Sequence, residues 1–259
     1  MRKLWVAVAA IIMLLAVAAI AIAQQTEVTN TYKVEGSTSP AREGSARNPV
    51  PIQIDFDYEV GTTDGRRPSP IEKYSIRFGG VIVNQAVAPR CSKTTLDNEG
   101  PSGCPRGSIV GSGFIENETG NRSDPNDKSI TCNASVQVIN GPGNGGNLYV
   151  AGSPNSTDPR TRCAIELAAP IPFRFVRRGS AIALEFEVPD TLLHPLPTLS
   201  NAVKRVQSRV RRITRRIRGK RRGYFESRGP CPRNRRLITV VFDPEEGEQA
   251  TAQDRAPCR

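Results

Sequence analysis

Along most of this chain, apolar residues recur at every second position. Ile52, Ile54, Phe56, Tyr58 and Val60 alternate with Gln53, Asp55, Asp57 and Glu59. Tyr74, Ile76 and Phe78 alternate with Ser75 and Arg77, and Val81 to Val83 follow a Gly-Gly break. Ile182, Leu184, Phe186 and Val188 alternate with Ala183, Glu185 and Glu187. A period of two puts one set of side chains on each face of a strand, so each run predicts a strand with one buried face. Ser135 to Ile139 and Leu148 to Val150 flank the glycine-rich stretch Asn140 to Asn147, which predicts a hairpin. Turn-forming clusters recur at Thr62 to Pro70, Gly120 to Asp127, Gly152 to Pro159 and Arg177 to Ser180. Ten to twelve short strands at this spacing predict a mainly β fold, a single disulfide-stabilised β-sandwich of immunoglobulin-like or jelly-roll-like type over 50–259. Residues 24–49 read as a polar, irregular lead-in with one short strand at Tyr32 to Glu35.

One stretch carries two patterns. Val203, Val206, Val210, Ile213 and Ile217 are spaced 3-4-3-4, with Ser200 placed to cap the start and Gly219 the end, as in an amphipathic helix. As a strand, the same stretch puts Val206, Ser208 and Val210 on one face and crowds basic residues on the other.

The N-terminus breaks with all of this. Arg2 and Lys3 precede an uncharged apolar run from Leu4 to Ile20, and Ala21-Ile22-Ala23 then stands before Gln24 and Gln25. That order predicts a signal peptide helix over 1–23, cleaved after Ala23, and a secreted or extracytoplasmic mature chain. The competing reading is a retained anchor, since Leu4 to Ala23 is long enough to span a bilayer. No second long apolar stretch follows, so no membrane span is expected after cleavage.

Export changes the meaning of the six cysteines, Cys91, Cys104, Cys132, Cys163, Cys231 and Cys258. An even number outside the cytosol predicts three disulfides. Pairing of sequence neighbours is favoured among the 15 possibilities: Cys91–Cys104, Cys132–Cys163 and Cys231–Cys258. For the last pair, strands at Leu237 to Phe242 and Glu248 to Asp254, joined by the turn Asp243 to Gly247, place the two cysteines nearly opposite. There is no C-x-x-C pair and a single histidine, His194, so no metal centre and no cofactor are expected.

Charge is distributed very unevenly. The chain of 259 residues carries +11, of which the first 23 residues hold two, leaving +9. Residues 202–236 hold 15 Lys or Arg against the single acid Glu226, a local +14, so the remainder of the mature chain is near −5. Eleven of these cations fall between Lys204 and Arg222 with no acid among them: Lys204, Arg205, Arg209, Arg211, Arg212, Arg215, Arg216, Arg218, Lys220, Arg221 and Arg222. Such density predicts a surface that attracts phosphate, sulfate or uronate polymers. The plain alternative is a solvated, solubilising face. Aromatics are few here, only Tyr224 and Phe225, which argues against sequence-specific recognition of single strands.

Catalytic signals are weak throughout. Asp55, Asp57 and Glu59 line one strand face and invite a glycosidase or calcium reading, but alternation alone predicts a wet acidic face, and Glu185 with Glu187 reads the same way. Asp124, Asn126 and Asp127 form a polar turn without the glycine and distal glutamate of a calcium loop. His194 sits between leucine and proline, and no G-x-S-x-G elbow exists, so a structural role is expected for it. The glycine-rich stretch 141–146 lacks the Lys-Ser/Thr of a phosphate loop. Asn117, Asn121, Asn133 and Asn155 stand in N-x-S/T sequons.

The run Gly219-Lys220-Arg221-Arg222-Gly223-Tyr224-Phe225-Glu226-Ser227, then Cys231, an alternating strand, an acidic turn and Cys258, resembles uncharacterised secreted β-rich proteins of soil actinobacteria. The phrases Gly61-Thr62-Thr63-Asp64-Gly65 and Leu193-His194-Pro195-Leu196-Pro197 are similar to the same group. The resemblance implies an exported, mainly β protein with a hairpin around the basic turn, which tips 203–213 towards strand. It implies no activity. The expectation is a non-enzymatic cell-envelope or extracellular binding module whose partners are anionic cell-wall polymer or polysaccharide, with non-specific nucleic acid also accepted. The alternatives are a secreted hydrolase acting on polysaccharide, with Asp55 and Asp57 at its site, and a structural exoprotein without a ligand.

Overall fold

The computed structural model describes residues 29–179 and 181–259. The signal peptide reading over 1–23 lies outside the described residues. Among the described residues, alternation is realised as fifteen strands. They are β1 (Asn30–Ser39), β2 (Val50–Thr62), β3 (Ile71–Phe78), β4 (Val81–Val83), β5 (Ile109–Asn121), β6 (Ala134–Asn140), β7 (Gly145–Gly152), β8 (Leu167–Arg178), β9 (Ala181–Glu187), β10 (Leu199–Val210), β11 (Thr214–Ile217), β12 (Lys220–Gly223), β13 (Phe225–Ser227), β14 (Arg235–Pro244) and β15 (Ala250–Pro257).

Thirteen strands form one continuous antiparallel sheet in the order β15-β14-β3-β9-β8-β7-β6-β5-β10-β2-β13-β4, with β1 also on β2. The expected sandwich of two sheets thus meets a single hydrogen-bonded path. Long, twisted strands let a sheet of this width curl rather than split. Its first and last long strands come back together: Gly36 of β1 donates its N–H to the Asp254 carboxylate of β15 at 3.0 Å. Just beyond, Glu43 N–H donates to Arg259 O at 2.7 Å and Arg259 N–H to Ala41 O at 2.8 Å. The short strand expected at Tyr32 to Glu35 is longer than predicted, because β1 pairs along its whole length with β2, from Asn30↔Thr62 to Ser39↔Gln53. Its apolar content is low, but Val34 and Thr38 alternate inward and are buried.

The inward residues of β2, β3 and β14 make the main core, including Ile52, Ile54, Phe56, Tyr58, Tyr74, Phe78, Ile238, Val240 and Phe242. Fully burying one such side chain contributes about 1.5–3 kcal/mol. A second cluster, Ala134, Val136, Val150, Ile171 and Leu192, is built from β6 to β8 and the short helix Asp190–Leu193. All three disulfides form with the neighbour pairing, and no cysteine among the described residues is free. Cys231 and Cys258 flank the β14–β15 hairpin, whose last pair is Arg235↔Pro257. Three disulfides fit an oxidising, extracytoplasmic environment. Among the described residues, no helix is long and apolar enough to cross a membrane.

The helical spacing in 203–217 resolves as a bulged strand. β10 runs antiparallel to both β5 and β2, and its register against β5 slips between Val203 and Arg205. The extra residue, Lys204, puts Val203 and Val206 on the same face although they are three apart. Val206, Ser208 and Val210 then continue inward with period two.

Candidate polyanion-binding hairpin

The eleven cations of the basic segment fall into two groups. On β10 they face outward and meet the acids of β2 and β5. Arg205 lies opposite Glu59 and Arg209 opposite Asp55. Arg205 grips Asp57 with two bonds, Nε to Oδ1 at 3.1 Å and Nη2 to Oδ2 at 2.6 Å, and reaches Glu59 at 3.6 Å. Arg209 is ion-paired with Asp55, and Lys204 lies 3.7 Å from Glu118, which also holds Lys128 at 2.8 Å. Burial works to raise the Asp57 pKa, but the hydrogen bonds from Arg205 and Gln207 outweigh it and hold the carboxyl below its usual range. Asp55 and Asp57, the acids of the hydrolase reading, are therefore committed to a charge ladder on the outer wall.

Beyond Val210 the pattern changes. Arg211 anchors the chain to the start of β5, its N–H to Val110 O at 3.0 Å and Nη2 to Ile109 O at 2.8 Å. The chain then makes a separate two-stranded ribbon, β11 with β12. Arg218 and Gly219 form its two-residue turn with φ of 50° and 76°. Positive φ at both positions is the turn that matches strand twist, and glycine supplies one of them at no steric cost. The register sets Arg215 opposite Arg222 and Arg216 opposite Arg221. Like charges directly across a ladder are destabilising.

The base of the ribbon is nevertheless firmly held. Ile213 and Ile217 pack against the main core. Tyr224 donates its N–H to Ile213 O at 2.9 Å, and its buried hydroxyl reaches Asn140 Oδ1 at 3.1 Å. Glu226, 0% exposed, accepts from Gly223 N–H and from Arg222 Nη2, both at 2.8 Å. This leaves seven exposed cations with no carboxylate partner: Arg211, Arg212, Arg215, Arg216, Arg218, Lys220 and Arg221. Arg221 has only the Thr214 hydroxyl, at 3.2 Å.

The remaining candidates scatter over the molecule. Glu185 accepts from Arg178 on the outer wall. At the far end of the sheet, Asp127 accepts N–H bonds from Asn121 and Ser129. Those bonds, the Asn121 N–H first, pull its pKa to about 2. Asp124 caps Asn126 N–H, so the turn is closed by its own backbone. His194 is buried, with Nδ1 3.1 Å from Leu199 O and Nε2 2.8 Å from Glu245. It ties the loop before β10 to the β14–β15 turn. The Asn117 sequon is turned inward, its Nδ2 donating to Cys132 O. Among the described residues, no three His, Cys, Asp or Glu gather as a metal site would require. Sequence reasoning singled out the basic segment but missed that Glu226 neutralises Arg222. A lone acid in a cationic run is the signal that marks it.

Compared with family models, curated proteins and solved structures, the chain matches none.

Proposed function

We propose that this chain is an exported, non-enzymatic binding module whose contact surface for anionic polymers is the β11–β12 hairpin. The observation that carries the reading is the register of that hairpin. It holds arginine opposite arginine, and with Arg211 and Arg212 just before it leaves seven exposed cations without an acid, while the neighbouring strand β10 pairs each of its own cations. A bound polyanion supplies the missing counter-charge. Cell-wall polymer, acidic polysaccharide and nucleic acid all present anions at suitable density, and the ribbon offers no base-reading aromatics, so the recognition is of charge rather than sequence. The apolar run and A-x-A site before Gln24, together with the three disulfides, support export with the mature chain beginning at Gln24. Intact mass of the secreted protein tests that part.

The binding surface is tested by retention on immobilised heparin or teichoic acid across a salt gradient. Wild type should elute late, with affinity falling about a thousandfold or more between 50 and 200 mM salt if six or more anions are neutralised. Replacing Arg212, Arg215, Arg216 and Lys220 together with serine should lower both affinity and salt slope. Equal elution of the folded variant would reject the hairpin as the contact surface.

A further inference from the structure

The inward faces of ten strands line more than a packed core. Between the main cluster on β2 and β3 and the second cluster on β6 to β8 lies a cavity of about 170 Å³. Its walls are almost wholly aliphatic and aromatic: Phe56 and Tyr74 on one side, Val136, Val150 and Ile171 on the other, and Val206 of β10 beside them. Protein interiors rarely keep voids larger than a water molecule, and apolar cavities of this size accept small hydrocarbons.

The wall also carries two side-chain amides, neither of which offers a ligand a free polar atom. Asn201, which lines the cavity, has both ends of its amide engaged, Nδ2 with Leu192 O at 2.9 Å and Oδ1 with the Thr119 hydroxyl at 2.6 Å. Asn117 lines the cavity too, and its Nδ2 is spent on Cys132 O. Its Oδ1 is buried and has no hydrogen-bond partner. No group of water size reaches it, so the lining recognises apolar surface alone.

We infer that this cavity is a binding site for a small, uncharged hydrocarbon molecule, on the order of benzene or toluene in size. The site is separate from the cationic hairpin, and its occupancy does not depend on polyanion binding.

Toluene is the probe. It should raise the melting temperature of the oxidised full-length chain in a saturable way. Val150→Phe and Val206→Phe fill the cavity from two different strands, and each should abolish the shift while native near-ultraviolet dichroism is kept. Should either fail to fold, the other carries the test. Absence of any shift in wild type at saturating toluene, or an undiminished shift in a folded filling variant, overturns the site.

Discussion

Strand β10 and the β11–β12 hairpin are adjacent in sequence and almost equally basic, yet they solve opposite problems. On β10 the cations face a neighbour strand whose polar positions are Asp55, Asp57 and Glu59, so its arginines and those acids form a ladder along the outer wall. On the hairpin the cross-strand neighbours are other arginines. The same residue type is structural in one place and available in the other. Register alone decides which.

The largest expected effect separates the two on binding. The hairpin variant lacking Arg212, Arg215, Arg216 and Lys220 should lose roughly a hundredfold in polyanion affinity at low salt, with the slope of log K against log salt reduced by about 3 to 4. Replacing Lys204, Arg205 and Arg209 on β10 with serine should change affinity by less than about threefold, since those charges are already neutralised. Fluorescence titration at several salt concentrations compares the two, and equal losses would erase the distinction. Next in size is Glu226→Ala. It strands Arg222 and leaves Gly223 N–H without its acceptor, and should cost about 3 kcal/mol in denaturant unfolding. Glu226→Gln keeps an acceptor and should cost less.

Smaller still is the stability of the wall itself. Arg205→Ala should destabilise by about 1 kcal/mol or less, because the pair with Asp57 is only partly buried. Arg215→Ala should be neutral or slightly stabilising, by a few tenths of a kcal/mol, since it relieves like-charge opposition. A fall as large as that of Arg205→Ala would show that Arg215 has a structural partner. Least of all is the response to acid. Asp57 and Asp127 titrate below their unfolded values. The unfolded chain therefore takes up their protons first, and the stability they contribute is present above about pH 4 and lost as pH falls towards 2. The seven cations of the hairpin and the segment leading into it have no acid partner, so polyanion binding should stay flat from pH 8 to pH 4 wherever the polymer keeps its charge. Side-chain carboxyl titration by NMR, run beside a binding series, checks both halves.

Strands with strict alternation were legible because burial on one face demands it: β2, β3 and β9 read directly from Ile54, Tyr74 and Leu184 and their neighbours. The pairing of Cys231 with Cys258 was equally plain from the hairpin between them. β5 was not legible. Its sequence is rich in glycine and polar residues, and the reason lies in the neighbouring backbone. A Cβ on Gly113 would stand 2.1 Å from Gln207 O, so β10 approaches where no side chain fits. β8 was hidden by Pro170 and Pro172. They pair only with β7, because β9 begins its ladder at Phe173, and the missing N–H groups face no partner strand. The helical spacing of Val203 and Val206 came from one inserted residue, a feature that has no signature until the facing strand is known. Of the candidate site, the charge density was visible in the sequence. Its division into a neutralised wall and an unneutralised ribbon was not, since that depends on which strand lies beside β10.

The interior cavity has a mechanical consequence. Unfolding fills internal voids with water, so hydrostatic pressure favours the unfolded chain in proportion to the void that is lost. The apolar cavity of about 170 Å³ is one such void. The chain should therefore be robust to heat, braced by three disulfides, and soft to compression. A few kilobar should unfold it at temperatures where it is otherwise stable, and an occupied or filled cavity should shift that midpoint upward.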